Sequence, residues 1–226
     1  MCQVDIFVQC TILYLVTTAE RARRKLDHRT RVGHERSART EARLVEAALG
    51  LFGDMRVEPP QIDDVVRAAG ISRGTFYNHF ESVEELLAAT SERTTRELVE
   101  SIDAALEGLD EPALRLGVGL RLFFARAQAD PVWCRFVARV WKLGSLEARD
   151  LEAGLRAGVF RAPGAEAAHD VLFGAVREAL IRIGNGKAAP DYGAQVTELC
   201  LQALMTDPRR IAAAVSHELP RKESTR

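Results

Sequence analysis

The sequence is poor in the residues that mark disulfide scaffolds, metal sites and catalytic centres. Its four cysteines, Cys2, Cys10, Cys134 and Cys200, lie far apart and form no Cys-x-x-Cys pair, which excludes a spaced zinc or redox motif. The five histidines form no His-Glu-x-x-His, and no Gly-x-x-x-x-Gly-Lys or Gly-x-Ser-x-Gly occurs. We therefore expect a reduced, cytoplasmic protein that is not an enzyme and uses neither metal nor cofactor.

An excess of one charge sign and long hydrophobic runs are also lacking. The 31 Lys and Arg face 32 Asp and Glu, and the 47% hydrophobic content with only 8 prolines is typical of a globular chain with a sizeable core. The apolar run at residues 4–16 is too short to span a membrane, and no positively charged region precedes it as in a secretory signal. We expect no membrane partner.

Charge is nevertheless unevenly distributed along the chain. Residues 21–43 hold nine basic and three acidic side chains, a local charge of +6, which predicts an arm able to follow a phosphate backbone. A charged tail without a function is the competing interpretation. We assign residues 1–36 to an N-terminal extension with this arm, expected to be disordered, and residues 220–226 to a charged tail.

From residue 40 onwards the apolar residues recur at the three- and four-residue spacing of helices, and no strand pattern appears. A first helix begins near Thr40. A second, short helix is predicted by its apolar face, which consists of Ile62, Val65, Val66 and Ala69. Gly70 follows directly, and glycine readily takes the positive φ that a tight turn between helices needs.

A third helix and a long fourth helix are predicted from their N-caps. Ser72 caps the third, barely two turns long, with Phe76 and Phe80 on its buried side. Residues 82–85, Ser-Val-Glu-Glu, predict a capping box that opens the fourth helix.

A helix, a glycine turn and a second short helix form the layout of a helix-turn-helix, whose second helix enters the major groove of DNA. Arg73 can pair with guanine, Asn78 with adenine, and the Thr75 methyl group can meet that of thymine. Tyr77 and His79 suit phosphate contacts. The predicted DNA-contacting residues are Arg39, Gln61, Ser72, Arg73, Gly74, Thr75, Tyr77, Asn78 and His79.

Residues 40–87 resemble the DNA-binding domain of the TetR family of transcriptional regulators. The run at 69–80, AGISRGTFYNHF, is a near-complete match to the most diagnostic stretch of that family. The resemblance implies an all-α protein, with a three-helix helix-turn-helix head at 37–85 and a helical bundle at 86–219 for ligand binding and dimerisation. It also implies a homodimeric regulator of operator DNA, most simply a repressor released by a small apolar effector.

Three positions depart from the pattern of that family. Arg56 stands in place of a glycine between the first two helices, Pro60-Gln61 in place of Thr or Ser, and Val83 in place of a lysine. The last two departures remove expected phosphate contacts, which the basic arm can replace. They also leave open a helical interaction module with a degenerate helix-turn-helix. A cofactor-free enzyme in the helical body is the other alternative.

The C-terminal half supplies helices but no catalytic motif. Its aromatic residues predict either an ordinary core or a ligand pocket, and the pocket candidates are Phe123, Trp133, Phe136, Trp141 and Phe173. Two late helices are apolar over more than one face, which favours pairing of two copies about a two-fold axis. The predicted dimer interface consists of Leu172, Ala175, Ala179, Leu180, Val196, Leu199 and Ala203.

Overall fold

The computed structural model describes residues 35–53, 59–140, 146–205 and 207–219, with side chains left undescribed at 146–148. The chain divides into two compact units, the first ending at Leu44 and the second beginning at Val45. Every regular element in the described ranges is an α-helix, which confirms the predicted all-α class. The basic arm up to residue 34, Arg56 and the tail at 220–226 lie outside the described residues.

The helices are labelled in chain order. Helix α1 spans residues 35–53 and so begins inside the predicted extension. The helices that follow are α2 (Ile62–Ala69), α3 (Arg73–Tyr77), α4 (Val83–Ala105), α5 (Pro112–Ala129), α6 (Pro131–Val140), α7 (Leu146–Arg156), α8 (Ala165–Gly184), α9 (Tyr192–Leu204) and α10 (Pro208–Ser216). Among the described helices, none combines the length and apolarity needed to cross a membrane.

The turn between α2 and α3 has the predicted chemistry. Gly70 has a φ of 61° and ends α2 in the left-handed region, where glycine carries no steric penalty. Ser72 begins α3, because its Oγ accepts a hydrogen bond from the Thr75 N–H at 3.1 Å. The helix ends at Tyr77, so Phe80 lies beyond it rather than on its last turn, although its side chain is still buried.

The start of α4 differs from the prediction in one hydrogen bond. Ser82 Oγ accepts from the Glu85 N–H at 3.1 Å, as the predicted capping box requires. The Glu85 carboxylate, however, accepts from the N–H of Glu81 instead of that of Ser82. The reciprocal bond is therefore made one residue earlier, and a backbone donor ahead of the helix is still satisfied.

Helix α5 is the centre of the helical body in the second unit, since it contacts α6, α7, α8, α9 and α10. Glycine allows two of these contacts to be close. A Cβ at Gly117 would lie 2.7 Å from the Cβ of Ala214 in α10, and a Cβ at Gly193 in α9 would lie 2.5 Å from the Cβ of Phe124. Both distances are too short for real side chains, so α9 and α10 depend on these glycines to approach α5.

A partly buried ion pair joins α5 to α7. Arg115 Nε donates to Asp150 Oδ1 at 2.9 Å. Arg115 Nη1 also donates to the carbonyl oxygens of Leu106 and Leu109, at 3.2 and 2.9 Å. One guanidinium thus satisfies a buried carboxylate and two carbonyls of the turn that follows α4, a use suited to the planar donor geometry of arginine.

The two cysteines in the described residues behave as core side chains. Cys134 on α6 donates from Sγ to the Leu180 carbonyl on α8 at 3.3 Å, and Cys200 is buried on α9. Burial raises the pKa of each thiol to about 11. Both groups are therefore protonated at neutral pH, where a protonated thiol is a poor nucleophile.

Candidate nucleic-acid interface and ligand cavity

Helix α3 has one buried side and one exposed polar side. Phe76 is fully buried, and its ring centre lies 6.2 Å from that of Phe80. Arg73 and Asn78 are exposed, and Tyr77 exposes 55% of its surface. The apolar pair holds α3 in the second unit and leaves its hydrogen-bonding groups accessible, as a recognition helix requires.

The first turn of α3 carries little bulk. Ser72 Oγ lies 2.9 Å from Thr75 Oγ1 in addition to capping the helix, so both hydroxyl groups are engaged within the turn. A Cβ added at Gly74 would meet only Ser72 Oγ, at 3.8 Å, which is ordinary van der Waals contact. Packing among the described residues therefore does not account for a glycine at position 74.

Arg73 has a partner that the sequence reasoning missed. Its Nε donates to Oδ1 of Asp63 at 2.7 Å, and its Nη2 donates to Oδ2 at 2.5 Å. The hydrogen bonds lower the pKa of Asp63 from its ordinary value and raise that of Arg73. A carboxyl group with a lowered pKa loses its charge only on acidification through that value, so the pair is fully ionised at neutral pH.

The remaining predicted DNA contacts are also accessible to different degrees. Gln61 is exposed at the N-cap of α2, and its side-chain amide donates to the Pro59 carbonyl at 3.3 Å. His79 is half-buried in the turn after α3. Arg39 is exposed on α1 in the first unit. The other predicted residues lie on α3, at its N-cap or in the turns that flank it.

A cavity of about 460 Å³ lies between α4, α5 and the beginning of α6. Its apolar walls include Leu98 and Ile102 from α4, Leu122 from α5 and Trp133 from α6. The lining also includes Thr94, Glu97, Ser101, Ala105, Ala125, Arg126, Ala129 and Leu219. An apolar cavity with a few polar groups is the usual form of a small-molecule site.

Trp133 and Arg126 form the polar edge of this cavity. The Arg126 guanidinium carbon lies 5.4 Å from the Trp133 ring centre, within cation–π distance. The same side chain donates to Asp130 at 3.2 Å, which balances its charge. The cavity therefore combines an aromatic surface with one neutralised cationic group.

The predicted pocket residues do not lie together in this cavity. Only Trp133 lines this cavity. Phe123 and Phe136 are fully buried core residues, and Phe173 stacks on His169 with ring centres 3.9 Å apart. Trp141 lies outside the described residues. Leu98 and Ile102, which do line the cavity, lie four residues apart on α4 and so belong to one apolar face of that helix. Such a face is visible in the sequence, but periodicity alone does not distinguish a cavity wall from a packed core.

The predicted dimer residues fall into two groups. Leu172, Ala179, Leu180 and Val196 are buried by their own protomer, and Ala175 is half-buried. The four buried side chains have little or no surface left for a partner, which corrects their assignment to an interface. Leu199 is 64% exposed and Ala203 is exposed. Val171, which the sequence reasoning omitted, is 60% exposed on α8.

Within the described residues, no group of three or more His, Cys, Asp or Glu side chains is placed to hold an ion. What the geometry does assemble is a capped helix, a left-handed glycine turn and a short helix with an exposed polar face. These features define a helix-turn-helix that is followed by a helical body. Residues 44–90 match the family model described as bacterial regulatory proteins, tetR family. This N-terminal part of the chain is therefore similar to the DNA-binding domain of TetR-family transcriptional regulators.

Relatives and solved structures agree with this family. The chain is 39% identical over 75 residues to the HTH-type transcriptional regulator CymR of Pseudomonas putida, covering 33% of this chain and 37% of CymR. It is 33% identical over 89 residues to the regulator Rv1255c of Mycobacterium tuberculosis, covering 39% and 44%. The chain thus spans less than half the length of either relative. A crystal structure of RolR with its ligand resorcinol has a TM-score of 0.60 and 25% identity, covering 83% of this chain and 98% of that one.

Proposed function

We propose that this chain is a repressor that binds a palindromic operator as a homodimer and leaves it when a small apolar ligand occupies the cavity. The observation that carries the proposal is the course of α4, which begins shortly after α3 and lines the cavity with Leu98 and Ile102. A ligand bound there contacts the helix next to the recognition helix and can favour one tilt of it over another. The helix-turn-helix domains of the two protomers must stand about 34 to 36 Å apart to reach successive major grooves. The tilt of α4 therefore decides whether both domains can bind.

Helix α6 supplies a second connection in support of this mechanism. Trp133 lines the cavity, and Arg135 donates from Nε to the Gly53 carbonyl at the end of α1, at 3.0 Å. Its Nη1 lies 3.4 Å from the Gly184 carbonyl at the end of α8. A Cβ at Gly53 would lie only 2.8 Å from the Val132 carbonyl oxygen. A ligand that displaces Trp133 would therefore disturb contacts to α1 and α8 together.

The experiment that tests the repressor is selection by the purified chain from duplex DNA with about 20 randomised base pairs, the span of two half-sites. We expect enrichment of a palindromic sequence. Enrichment of none would overturn sequence-specific regulation and favour the interaction module, whose helix-turn-helix no longer reads DNA.

Gly74→Ala separates folding from DNA binding. Alanine fits the space at this position and has the higher helix propensity, so thermal stability should stay level or rise by up to about 1 kcal/mol. If the α3 backbone approaches DNA closely, the added methyl group should weaken operator binding by about 1 to 3 kcal/mol, as in an overpacked contact. Calorimetry and fluorescence anisotropy measure the two quantities. Unchanged operator affinity would show that DNA stays away from this turn.

The ligand half of the proposal is tested with small hydroxylated aromatics, because the similar protein RolR binds resorcinol. In a Trp141→Phe background, a bound ligand should change the fluorescence of Trp133, the only tryptophan left. The same compounds should release the protein from its selected operator. Release without a Trp133 signal would place the effector site elsewhere.

Ala125→Trp should fill the cavity and uncouple it from DNA. Ala125 belongs to the lining of the cavity and is exposed, so a large side chain there occupies ligand space without entering the core. Operator affinity without ligand is expected to stay within about twofold, as for most surface changes. Release by an active ligand should require at least about tenfold more of it, a loss of about 1.4 kcal/mol. A matched control is Ala212→Trp on α10, which is exposed and does not line this cavity.

Deleting residues 1–34 should flatten the salt dependence of operator binding. This segment carries most of the basic residues of the arm, and Pro60 and Val83 stand where the family resemblance implies phosphate contacts. For every phosphate that the shortened chain no longer neutralises, the slope of log affinity against log salt should fall by roughly 0.9. Base preference should be kept, because phosphate contacts carry no sequence information. A slope equal to that of the full chain would show that the arm is only a tail.

A further inference from the structure

The Asp63–Arg73 pair joins the two helices of the helix-turn-helix. Asp63 lies in the first turn of α2 and Arg73 is the first residue of α3. Two hydrogen bonds of 2.7 and 2.5 Å connect them, although 64% of the Arg73 side chain and 53% of the Asp63 side chain are exposed. An exposed pair of this kind adds little to stability. Its two-pronged geometry instead fixes where the guanidinium lies.

The atoms used in the pair determine which donors of Arg73 stay available. A guanidinium has five N–H groups in one plane. Asp63 accepts from Nε and from one hydrogen of Nη2, which together form one side edge of the group. The ion pair does not use either hydrogen of Nη1 or the second hydrogen of Nη2. The outer edge, with Nη1 and Nη2 side by side, can still donate two parallel hydrogen bonds.

We propose that Asp63 is a positioning residue that makes Arg73 a reader of guanine. This inference rests on the proposed function, because it assigns a role within the same DNA-contacting surface. Guanine presents O6 and N7 side by side in the major groove, and bidentate pairing by arginine is the commonest specific contact to it. With one edge held by Asp63, the free edge is oriented before DNA arrives, so less rotamer freedom is lost on binding.

The carboxylate also explains why the pair favours bases over phosphates. An unpaired arginine on this surface would be drawn to any backbone phosphate and would add to binding on every sequence. Asp63 offsets that charge and repels phosphate. Binding to unrelated DNA is thereby weakened, while the two-pronged contact to guanine is retained.

A simple brace between α2 and α3 is the competing role, and base preference distinguishes the two. The test uses the full chain and the operator selected from randomised duplex DNA. Affinities are measured for that operator and for versions with each base pair replaced in turn. The variants are Arg73→Ala, Asp63→Asn, Asp63→Glu and the double change of Asp63→Asn with Arg73→Ala, with circular dichroism and melting curves as checks of folding.

Asp64→Asn is the matched control. Asp64 is the next residue on α2 and loses the same charge, but its contacts are to the Gln61 N–H at 3.1 Å and to Arg67 at 3.4 Å. Both Asn variants should bind unrelated DNA more tightly, because each removes one negative charge from the surface. Only a change in base preference at one position distinguishes the loss of Asp63 from the loss of charge.

The expected result is a shared loss at one G·C position. Arg73→Ala and Asp63→Asn should each reduce the preference for that base pair by at least about fivefold, within the discrimination that a bidentate contact supplies. The double variant should lose no more than Arg73→Ala alone, and Asp63→Glu should restore preference. Asp64→Asn should keep the preference of the wild type.

Two results would overturn the inference while the repressor proposal stands. One is retention by Asp63→Asn of the preference that Arg73→Ala loses. The other is identical behaviour of Asp63→Asn and Asp64→Asn on every duplex, which would make Asp63 only a source of charge. If the wild-type chain selects no sequence at all, the proposed function fails first and this inference fails with it.

Discussion

Leu199→Glu is expected to turn the proposed dimer into a folded monomer that loses palindromic operator binding by at least about 100-fold. Leu199 on α9 and Val171 on α8 are 64% and 60% exposed, and the two helices contact each other. The exposed small residues Gly174 and Ala203 lie on the same helices. Large exposed aliphatic residues beside small ones form a surface that two copies of a helix pair can bury about a two-fold axis.

The expected size follows from linking two binding events. A dimer binds its second half-site as an intramolecular step, and such linkage is worth about 10² to 10⁴ in affinity. A glutamate at the centre of the interface would have to be buried without a partner, which costs more than the contact supplies. A single head retains only half of the base and phosphate contacts.

Sedimentation and fluorescence anisotropy on the selected operator measure this prediction. Val132→Glu is the control, since Val132 is another exposed aliphatic residue, 40% accessible, but lies on α6. The control should remain a dimer and bind DNA. If Leu199→Glu also sediments as the wild type does, the interface lies elsewhere. A wild-type chain that is monomeric at micromolar concentration would contradict operator binding by two helix-turn-helix domains of a dimer.

Ala179 is unsuitable for the same experiment, although the sequence predicts it in the dimer interface. Its side chain has no exposed surface in the protomer. A glutamate there would enter the core and unfold the body instead of separating two copies. The periodicity of α8 shows that more than one face is apolar, but which face the chain covers itself depends on packing with α6 and α9. That information is spread over residues far apart in the sequence.

Contacts between residues close in sequence explain why the helix-turn-helix could be predicted closely. Gly70, Ser72 and Ser82 fix the ends of α2, α3 and α4 through contacts within a few residues. The spacing of Phe76 predicts a core position, and its side chain is fully buried. Such features depend on backbone hydrogen bonds and helical period, which short stretches of sequence determine.

The Asp63–Arg73 pair and the cavity depend on long-range placement and could not be predicted in this way. Asp63 and Arg73 lie on different helices, and two exposed charges are individually typical of solvated surface. The cavity takes one aromatic residue, Trp133, while Phe123 and Phe136 have the same helical spacing and fill the core. Periodicity identifies a buried face, but only the packing of α4 against α5 decides where that face leaves a space.

Arg73→Ala and Asn78→Ala should each weaken binding to the preferred operator by about 1 to 3 kcal/mol more than they weaken binding to unrelated DNA. Both residues are exposed on or directly after α3, and their side chains match the paired hydrogen-bonding groups of guanine and adenine. His79→Ala and Tyr77→Phe should instead weaken binding to all sequences alike, because contacts to phosphate fix register without reading bases.

Competition between the selected operator and random duplex DNA at fixed salt separates these classes. The ratio of the two affinities should fall at least about fivefold for Arg73→Ala and Asn78→Ala, since 1.4 kcal/mol corresponds to a factor of ten and 1 kcal/mol to about five. The ratio should stay constant for His79→Ala and Tyr77→Phe while both affinities fall. Tyr77→Phe is the most conservative of these changes, because it keeps the ring that packs edge-on against Phe76 at 5.6 Å and removes only the hydroxyl group. Equal losses on both kinds of DNA for Arg73→Ala would show that its guanidinium contacts phosphate, and the reading edge of α3 would then have to lie at Asn78 and Thr75.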